Sequence, residues 1–253
     1  MTCSTIIRLN YSRTFTAVMS AFEYSGTELK LFSTAQNWKS YICDLIKEYI
    51  KNDVLEVGAG IGQNTRLLYH PEYHKWICLE PDIKLYRELE SLFSSYEANE
   101  PHLQNGTITG LAKEQLFDSI LYLDVLEHIL EDSEEVLQAY QHLKPEGYLI
   151  VLAPAHQCLF TQFDAAIGHY RRYSKLGLKV LLPRDMKVVR LLYVDCAGLL
   201  ASLANKLILQ QKQPTYWQIK TWDKLMIPVS KKLDRLLQYR LGKSVLLIGR
   251  KQC

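Results

Sequence analysis

Three glycines at alternate positions, Gly58, Gly60 and Gly62, follow a short apolar segment that contains Glu56. Glycines at this spacing let the backbone pass close to a ligand, and the N–H groups that begin the next helix then face that ligand. Glu80 ends the next apolar segment, near the ~20-residue spacing at which an acidic residue meets a ribose diol. These residues predict a binding site for a ligand that contains a nucleoside.

Two kinds of nucleoside ligand fit such a turn, and two residues distinguish between them. The dinucleotide pattern G-x-G-x-x-G/A requires Gly or Ala at position 63, where this chain has Gln63. Glu56 is expected to lie near the ligand, where a carboxylate suits a cation and repels a pyrophosphate. A turn without a ligand is disfavoured, because three spaced glycines lose much chain entropy on folding. The turn therefore favours a cationic nucleoside ligand over a dinucleotide.

Two histidines could accept a proton near neutral pH. His128 follows an apolar segment, and Asp124, four residues earlier, could orient it on a helical turn. The alternative for His128 is a histidine at a helix start that packs on the sheet. His169 lies in FDAAIGHYRRY, a segment dense in functional residue types, and its alternative is a solvated loop histidine.

Arg171 and Arg172 follow His169 closely and could bind a carboxylate or phosphate of a substrate. They could equally pair with Asp164. We expect this pairing for at least one of the two arginines.

No metal site is predicted. The chain has no HExxH motif and no cluster of cysteines. Asp124, His128 and His169 could converge on an ion, but their spacing in the sequence is loose.

Alternating strands and helices must position these residues. Apolar segments predict strands at Val54–Val57, Trp76–Glu80, Gln104–Ile108, Asp118–Asp124, Tyr148–Leu152 and, last, Ser244–Lys251. Helical periodicity is found over Thr34–Ile50, after the glycine turn, and over Asp82–Tyr96, Asp132–Leu143 and Ala197–Leu209. Such alternation predicts an open parallel sheet covered by helices on both faces, with ligands at the carboxyl ends of the strands.

Composition limits the class of protein. The 253 residues carry 30 Lys+Arg against 27 Asp+Glu, a balance that gives no indication of nucleic-acid binding. The six cysteines are scattered, which is typical of reduced thiols in the cytoplasm. No segment approaches the ~18–20 apolar residues of a membrane span, and the start lacks a signal-type cleavage pattern. We therefore expect a cytoplasmic protein that is a monomer or homodimer, with peripheral membrane contact left open.

Four segments resemble the motifs of class I S-adenosylmethionine-dependent methyltransferases, in family order and spacing over roughly residues 30–175. They are VLEVGAGIGQNT, CLEPD, FDSILYLDVLEHILED and LKPEGYLIVLAPA. GHYRRYS (Gly168–Ser174) and the spaced pattern in Glu28–Trp38 resemble a bacterial subgroup whose members often accompany glycosyltransferases or natural-product genes.

This resemblance implies an α/β fold. The expected fold is a Rossmann-like, seven-stranded, mostly parallel sheet with helices on both faces. KVVRLLYVD (Lys187–Asp195) fits the sixth strand, and the last strand runs antiparallel. Residues 1–50 would form an N-terminal helical lid. Residues 51–253 would form the methyltransferase domain, with a C-terminal helical insertion at about 196–240 that includes a helix over Trp217–Leu237.

The resemblance also implies site residues. Cofactor-binding residues are expected to be Glu56, Gly58, Ala59, Gly60, Gly62, Asn64, Thr65, Glu80, Pro81, Asp82, Thr107, Ile108, Leu123 and Asp124. Among them, Glu80 would accept both ribose hydroxyls. Residues expected to contact the methyl acceptor are Tyr24, Trp38, Arg171, Arg172 and Tyr173. His169 or His128 would be the catalytic base.

The function expected from these features is methyl transfer from S-adenosylmethionine to a small-molecule acceptor. A hydroxyl of a natural product, sugar or lipid-like metabolite is the favoured acceptor group. The alternative is an S-adenosylmethionine-binding protein of the same fold that transfers no methyl group, such as a cyclase or a regulatory binding module.

Overall fold

A seven-stranded sheet forms the centre of the protein. The computed structural model describes residues 28–94, 100–206 and 214–253. The strands are β1 (Asp53–Val57), β2 (Lys75–Glu80), β3 (His102–Asn105), β4 (Phe117–Leu123), β5 (Leu143–Pro154), β6 (Met186–Val194) and β7 (Ser244–Lys251). Their order is β3-β2-β1-β4-β5-β7-β6, and only the β7 pairings with β5 and β6 are antiparallel within this sheet. The predicted mostly parallel sheet with an antiparallel last strand is confirmed.

Helices cover both faces of this sheet, as predicted. They are α1 (Glu28–Phe32), α2 (Gln36–Ile46), α3 (Thr65–Leu68), α4 (Ile83–Phe93), α5 (Asp132–Gln141), α6 (Gln162–Ala166), α7 (Lys175–Leu181), α8 (Cys196–Ala204), α9 (Tyr216–Thr221) and α10 (Ile227–Leu236). One core cluster joins α2, α4, α9 and α10 to one face, and a second joins α5 and α7 to the other. The central strands are apolar on both sides because both sides are covered.

The chain direction reverses at the centre of the sheet. From β1 the chain proceeds outward to β2 and β3, and it then returns to the other side of β1 to form β4. The connections that leave β1 and β4 therefore diverge, and a crevice opens between them at the carboxyl ends of the strands. Ligands bind at this position in open α/β sheets.

Several element boundaries differ from the sequence prediction. β3 ends at Asn105, so Thr107 and Ile108 lie beyond the strand predicted to contain them. β5 begins at Leu143 and includes the predicted turn Pro145–Gly147, because Leu143 pairs with Phe117 of β4 across an irregularity in the register. The predicted helix Trp217–Leu237 is divided into α9, a π-helical turn at Trp222–Met226 and α10. Pro228 in the first turn of α10 has no N–H to donate, which explains why regular α-helical bonding does not pass through this point.

Two buried carboxylates fix the C-terminal helices on the sheet. Asp195, directly after β6, accepts hydrogen bonds from Trp222 Nε1 (2.7 Å) and Ser230 Oγ (2.6 Å). Asp234 of α10 accepts bonds from Tyr41 Oη (2.9 Å) of α2 and from the backbone N–H of Asp195 (2.7 Å). Because all these groups are buried, α2, α8 and α10 are held at the carboxyl edge of the sheet.

None of the helices in the described ranges combines the length and the apolar character that a bilayer crossing requires.

Candidate active site

A cavity of about 710 Å³ lies between the carboxyl edge of the sheet and the surrounding helices. The turn after β1, the segment after β4 and the ends of β5 and β7 contribute residues from the sheet. Helices α1, α2, α8 and α9 contribute residues from the opposite side, and the segment that contains α6 closes one end. This size is typical of a small-molecule site. Helices α1 and α2, which belong to the predicted N-terminal lid, border the cavity, and the lid itself stays a prediction.

The glycine turn contributes Gly58, Ala59, Gly60, Gln63 and Asn64 to the cavity wall. Gly60 has φ +58, and an added Cβ would meet only Leu29, at 3.8 Å, so its backbone is open to a ligand. Gly62 also has a positive φ, of +75, but it faces the core. A Cβ there would lie 2.6 Å from Leu89 of α4. The predicted glycines therefore have two roles: Gly58 and Gly60 face the cavity, and Gly62 allows α3 to approach α4.

Glu80 is hydrogen-bonded to the backbone of the glycine turn. Its carboxylate accepts the backbone N–H of Gly60 (2.7 Å) and of Asp82 (2.9 Å). Burial raises the pKa of Glu80 to about 7, and the two backbone hydrogen bonds offset only part of that rise. Glu80 itself does not line the cavity. Its predicted ribose contact stays a prediction.

Glu56 and Thr65 are also placed behind the turn. Glu56 accepts hydrogen bonds from Thr65 Oγ1 (2.8 Å) and Trp76 Nε1 (3.2 Å). Burial raises the pKa of Glu56 to about 7, because these hydrogen bonds compensate only in part for lost hydration. Neither Glu56 nor Thr65 lines the cavity, and their hydrogen bonds connect the turn to β1 and β2. Their predicted contact with the cofactor stays a prediction.

Four further residues predicted to bind the cofactor likewise lie outside the cavity wall: Pro81, Asp82, Thr107 and Ile108. Asp82 caps α4 by accepting the backbone N–H of Lys84 (2.6 Å), and Ile108 is fully buried in the core. Thr107 is hydrogen-bonded to Thr109 (2.8 Å) near the surface. Pro81 is partly exposed next to Asp82. Asp82 therefore stabilises the start of α4, and Ile108 packs in the core just after β3.

Leu123 and Asp124, at the end of β4, line the cavity, and their predicted contact with the cofactor stays a prediction. Asp124 has φ +58, an uncommon conformation for a residue other than glycine, and such strain is concentrated at functional sites. Asp124 is exposed to solvent, and it lines the cavity. Burial raises the pKa of Asp124, while Lys39, His169 and Lys243 oppose the rise.

Two lysines that the sequence did not single out, Lys39 of α2 and Lys243 just before β7, also line the cavity. Burial lowers the pKa of both amines, although Asp124 is among the acids that oppose this shift. The sequence offered one indication, since Lys39 follows Trp38, which was predicted to contact an acceptor. Trp38 lines the cavity and packs against Trp222, with ring centroids 5.7 Å apart.

The two candidate bases are brought together at one end of the cavity. The rings of His128 and His169 meet edge to face, with centroids 4.5 Å apart. Burial, reinforced by His169, lowers the pKa of His128 to about 4, so its imidazole is neutral at pH 7. His169 Nδ1 lies 3.2 Å from Asp164 Oδ1, and this contact orients the ring. His128 contacts the His169 ring and is hydrogen-bonded to the Gly168 backbone, and its predicted contact with Asp124 stays a prediction.

Glu127 completes this cluster and was not predicted. Its Oε1 lies 3.9 Å from His169 Nε2, and neither carboxylate oxygen has a hydrogen-bond partner among the described residues. Burial, reinforced by the charge of Asp124, raises the pKa of Glu127. The signal in the sequence was a second acidic residue, next to His128, in the segment DVLEHIL directly after a buried strand.

The predicted acceptor-binding arginines are both held by acidic residues. Arg172 lines the cavity but donates two hydrogen bonds of 2.9 Å to Asp164. Burial opposes ionisation of Asp164, yet the hydrogen bonds from His169 and Arg172 outweigh it and hold the pKa of that carboxyl below its usual range. Arg171 pairs with Asp132 at 2.6 Å, and the Tyr173 hydroxyl donates to the same carboxylate at 2.8 Å. Arg171 and Tyr173 lie outside the cavity wall, and Tyr24 falls outside the described residues.

A family model described as a methyltransferase domain matches residues 34–191, which is more than half of the chain. A curated relative, the ubiquinone biosynthesis O-methyltransferase of Rickettsia prowazekii (strain Madrid E), is 25% identical over 115 residues. That alignment covers 44% of this chain and only 45% of the relative's length.

Solved structures share the fold at low sequence identity. A coclaurine N-methyltransferase bound to N-methylheliamine and SAH has a TM-score of 0.59 at 12% identity, covering 91% of this chain and 74% of the other. The [4+2]-cyclase SpnF has a TM-score of 0.58 at 13% identity, covering 90% and 94%. An S-adenosylmethionine-dependent methyltransferase from Clostridium acetobutylicum ATCC 824 has a TM-score of 0.53 at 12% identity, covering 87% and 92%. At such identities the likeness shows a common fold and leaves the reaction open.

Proposed function

The chain belongs to the methyltransferase domain family, and from this membership we propose that it transfers a methyl group from S-adenosylmethionine to a hydroxyl oxygen of a small organic acceptor. The observation that carries the proposal is the convergence of two segments on one cavity. These are the glycine turn after β1 and the acidic segment Asp124–His128 after β4.

The cavity wall fits this cofactor in both shape and charge. When bound, S-adenosylmethionine supplies an electrophilic methyl group on a positively charged sulfur. Gly60 leaves room at the backbone, and Asp124 provides a carboxylate that suits a cation. Lys39 and Lys243 provide amines that suit the carboxylate of an amino-acid group. A cavity wall with acidic and basic side chains fits S-adenosylmethionine, which carries both positive and negative charges.

The cluster of Glu127, His128 and His169 supports a hydroxyl acceptor. A hydroxyl must lose its proton as the methyl group is transferred, and acid–base side chains at the cavity wall can direct that loss. The apolar part of the wall, which includes Phe32, Trp38 and Trp222, excludes water and packs against the remainder of the acceptor. A natural product, sugar or lipid-like metabolite is the class of acceptor we propose.

Calorimetric titration tests the cofactor assignment. We expect S-adenosylmethionine and S-adenosylhomocysteine to bind and NAD to bind far more weakly, because Gln63 replaces the small residue that a pyrophosphate turn requires. Tighter binding of NAD would contradict the proposal.

Product mass separates methyl transfer from the alternative. A methyltransferase adds one CH₂ to its acceptor and releases S-adenosylhomocysteine, whereas a cyclase of this fold rearranges its substrate without a change in mass. Binding of the cofactor without any mass increase across a panel of hydroxylated acceptors would favour the alternative.

A further inference from the structure

Glu127, His128 and His169 form a cluster in which each side chain offers one ligand atom. These three atoms lie within 4.8 Å of one another, and His169 Nε2 is 3.9 Å from Glu127 Oε1. Ligand atoms arranged tetrahedrally around an ion at about 2.1 Å stand about 3.4 Å apart. Side-chain movements of roughly 1 Å would therefore bring the three ligand atoms to the distances that bind one ion.

The Glu127 carboxylate is the second and independent indication. It is 1% exposed, and among the described residues neither of its oxygens accepts a hydrogen bond. Carboxylates buried to this extent are ordinarily paired with a cation or bound to a metal ion. The nearby guanidinium of Arg172 is already engaged by Asp164 through two hydrogen bonds.

Both histidines are oriented as metal ligands usually are. A metal-binding imidazole typically donates its other N–H to a carboxylate or a backbone carbonyl, which fixes the ring. His169 Nδ1 is held by Asp164, and Asp164 is itself held by Arg172 and Thr161. His128 is hydrogen-bonded to the backbone of Gly168. The fold thus supplies the outer contacts that two histidine ligands need.

The geometry points to a site for one divalent transition-metal ion, with zinc as the expected ion, bound by Glu127, His128 and His169 at the cavity wall. Two imidazole nitrogens and one carboxylate oxygen suit zinc, whereas magnesium and calcium prefer oxygen ligands alone. Three protein ligands leave a fourth position for an oxygen atom from the cavity. A hydroxyl bound there would lose its proton more readily, so the cluster would act on the acceptor through the ion. Metal binding itself does not depend on the proposed methyl transfer.

Metal titration in the absence of cofactor and acceptor tests the site. The purified chain is first treated with a chelator and then titrated with zinc chloride, and separately with cobalt chloride. We expect one zinc ion per chain, and visible absorption from cobalt in a low-coordinate nitrogen and oxygen environment. The Glu127→Gln and His169→Ala variants should each bind zinc at least about 100-fold more weakly, because each loses one of three ligands. The control His102→Ala removes an exposed histidine of β3 and should bind zinc as the wild type does.

Thermal unfolding gives a second readout that distinguishes a metal ligand from a residue needed only for folding. Zinc should raise the melting temperature of the wild type and of His102→Ala but not that of Glu127→Gln. Without metal, Glu127→Gln should melt no lower than the wild type, because it removes an unpaired buried carboxylate. A wild type that binds no zinc, or a Glu127→Gln variant with unchanged zinc affinity, would overturn the metal site. Methyl transfer by the chelator-treated protein would leave the proposed function standing while removing any role for an ion in it.

Discussion

At the scale of single residues, the buried carboxylates differ in what holds them. Glu56 and Glu80 accept hydrogen bonds behind the glycine turn, Asp164 is paired with Arg172, and Glu127 has no hydrogen-bond partner among the described residues. The sequence predicted Glu56, Glu80 and Asp124 from their positions in a strand before the glycine turn or at the ends of strands. It could not predict Glu127, because spacing along a chain does not reveal which of two adjacent polar residues is buried without a partner.

Glu80 is expected to control cofactor affinity. The change Glu80→Gln keeps the shape of the side chain but, above the Glu80 pKa of about 7, removes the charge that holds the Gly60 N–H and, by our prediction, the ribose hydroxyls. Each hydrogen bond to a charged group is worth about 1.5–3 kcal/mol. Calorimetry with S-adenosylhomocysteine should therefore show an affinity at least about 10-fold lower. The exposed Glu90→Gln serves as control, and an unchanged affinity in Glu80→Gln would place the ribose elsewhere.

Glu56 is expected to make stability fall as pH rises. Burial raises its pKa in the folded chain to about 7, from an ordinary value of 4.5, so the folded state keeps a proton that the unfolded state has lost between these values. The unfolding free energy therefore decreases as pH rises through this window, by up to about 3 kcal/mol from this one group. Urea unfolding at pH 4.5 to 8 should show this decrease in the wild type and a smaller one in Glu56→Gln. A parallel decrease in both proteins would contradict the assignment, and exposed Glu114→Gln should behave as the wild type.

At the scale of elements, the alternation of strands and helices was predictable because buried strands read as continuous apolar segments. The division of the helix after Thr215 could not be predicted, because its stripe of apolar residues continues through the π-helical turn at Trp222–Met226. The start of β5 was also misplaced. Pro145 and Gly147 are typical of turns. The pairing of β5 with β4, however, begins before them at Leu143, whereas the pairing of β5 with β7 begins after them at Tyr148.

The glycine turn offers a matched pair of substitutions. Gly60→Ala places a methyl group in open space at a positive φ, so it should reduce stability by only about 1–2 kcal/mol. Gly62→Ala adds a clash with Leu89 to the same backbone strain and should reduce stability by about 2–5 kcal/mol. Cofactor affinity should change in the other order, with Gly60→Ala at least about 10-fold weaker. Chemical unfolding and calorimetry measure the two effects, and equal losses of stability would contradict the separate roles.

At the scale of the whole molecule, the cavity joins parts of the chain that are far apart in sequence. Trp38 and Lys39 come from α2, Asp124 follows β4, and Lys243 precedes β7. The mostly parallel sheet with an antiparallel last strand was predictable, because it follows from the alternation of strands and helices and from the family resemblance. The placing of Lys39, Lys243 and Asp124 around one cavity could not be predicted, because it depends on how α2 and the C-terminal helices pack over the edge of the sheet.

Because the cavity is built from both ends of the described chain, a ligand there should stabilise the molecule as a whole. S-adenosylhomocysteine at 100 times its dissociation constant should raise the unfolding free energy by about 2.7 kcal/mol. For a chain of this size, that corresponds to a rise in melting temperature of about 5–10 °C. Differential scanning calorimetry checks this, with NAD at the same concentration as the control. A rise of equal size with NAD would indicate a nucleotide effect that is not specific.

The left-handed conformation of Asp124 has a consequence for protein engineering. A substitution that relieves its backbone strain should raise thermal stability, but it would also remove a side chain that we expect to bind the ligand. Asp124→Gly would relieve about 1–2 kcal/mol of backbone strain, offset in part by the entropy of glycine, and would also remove an enclosed carboxyl group. We expect this variant to melt no lower than the wild type and to bind S-adenosylmethionine more weakly. Asp124→Asn tolerates the same backbone conformation and removes only the charge, so comparing the two variants by calorimetry separates strain from electrostatics. A library selected for heat resistance alone would therefore enrich changes at this position that abolish ligand binding, and selection for binding has to come first.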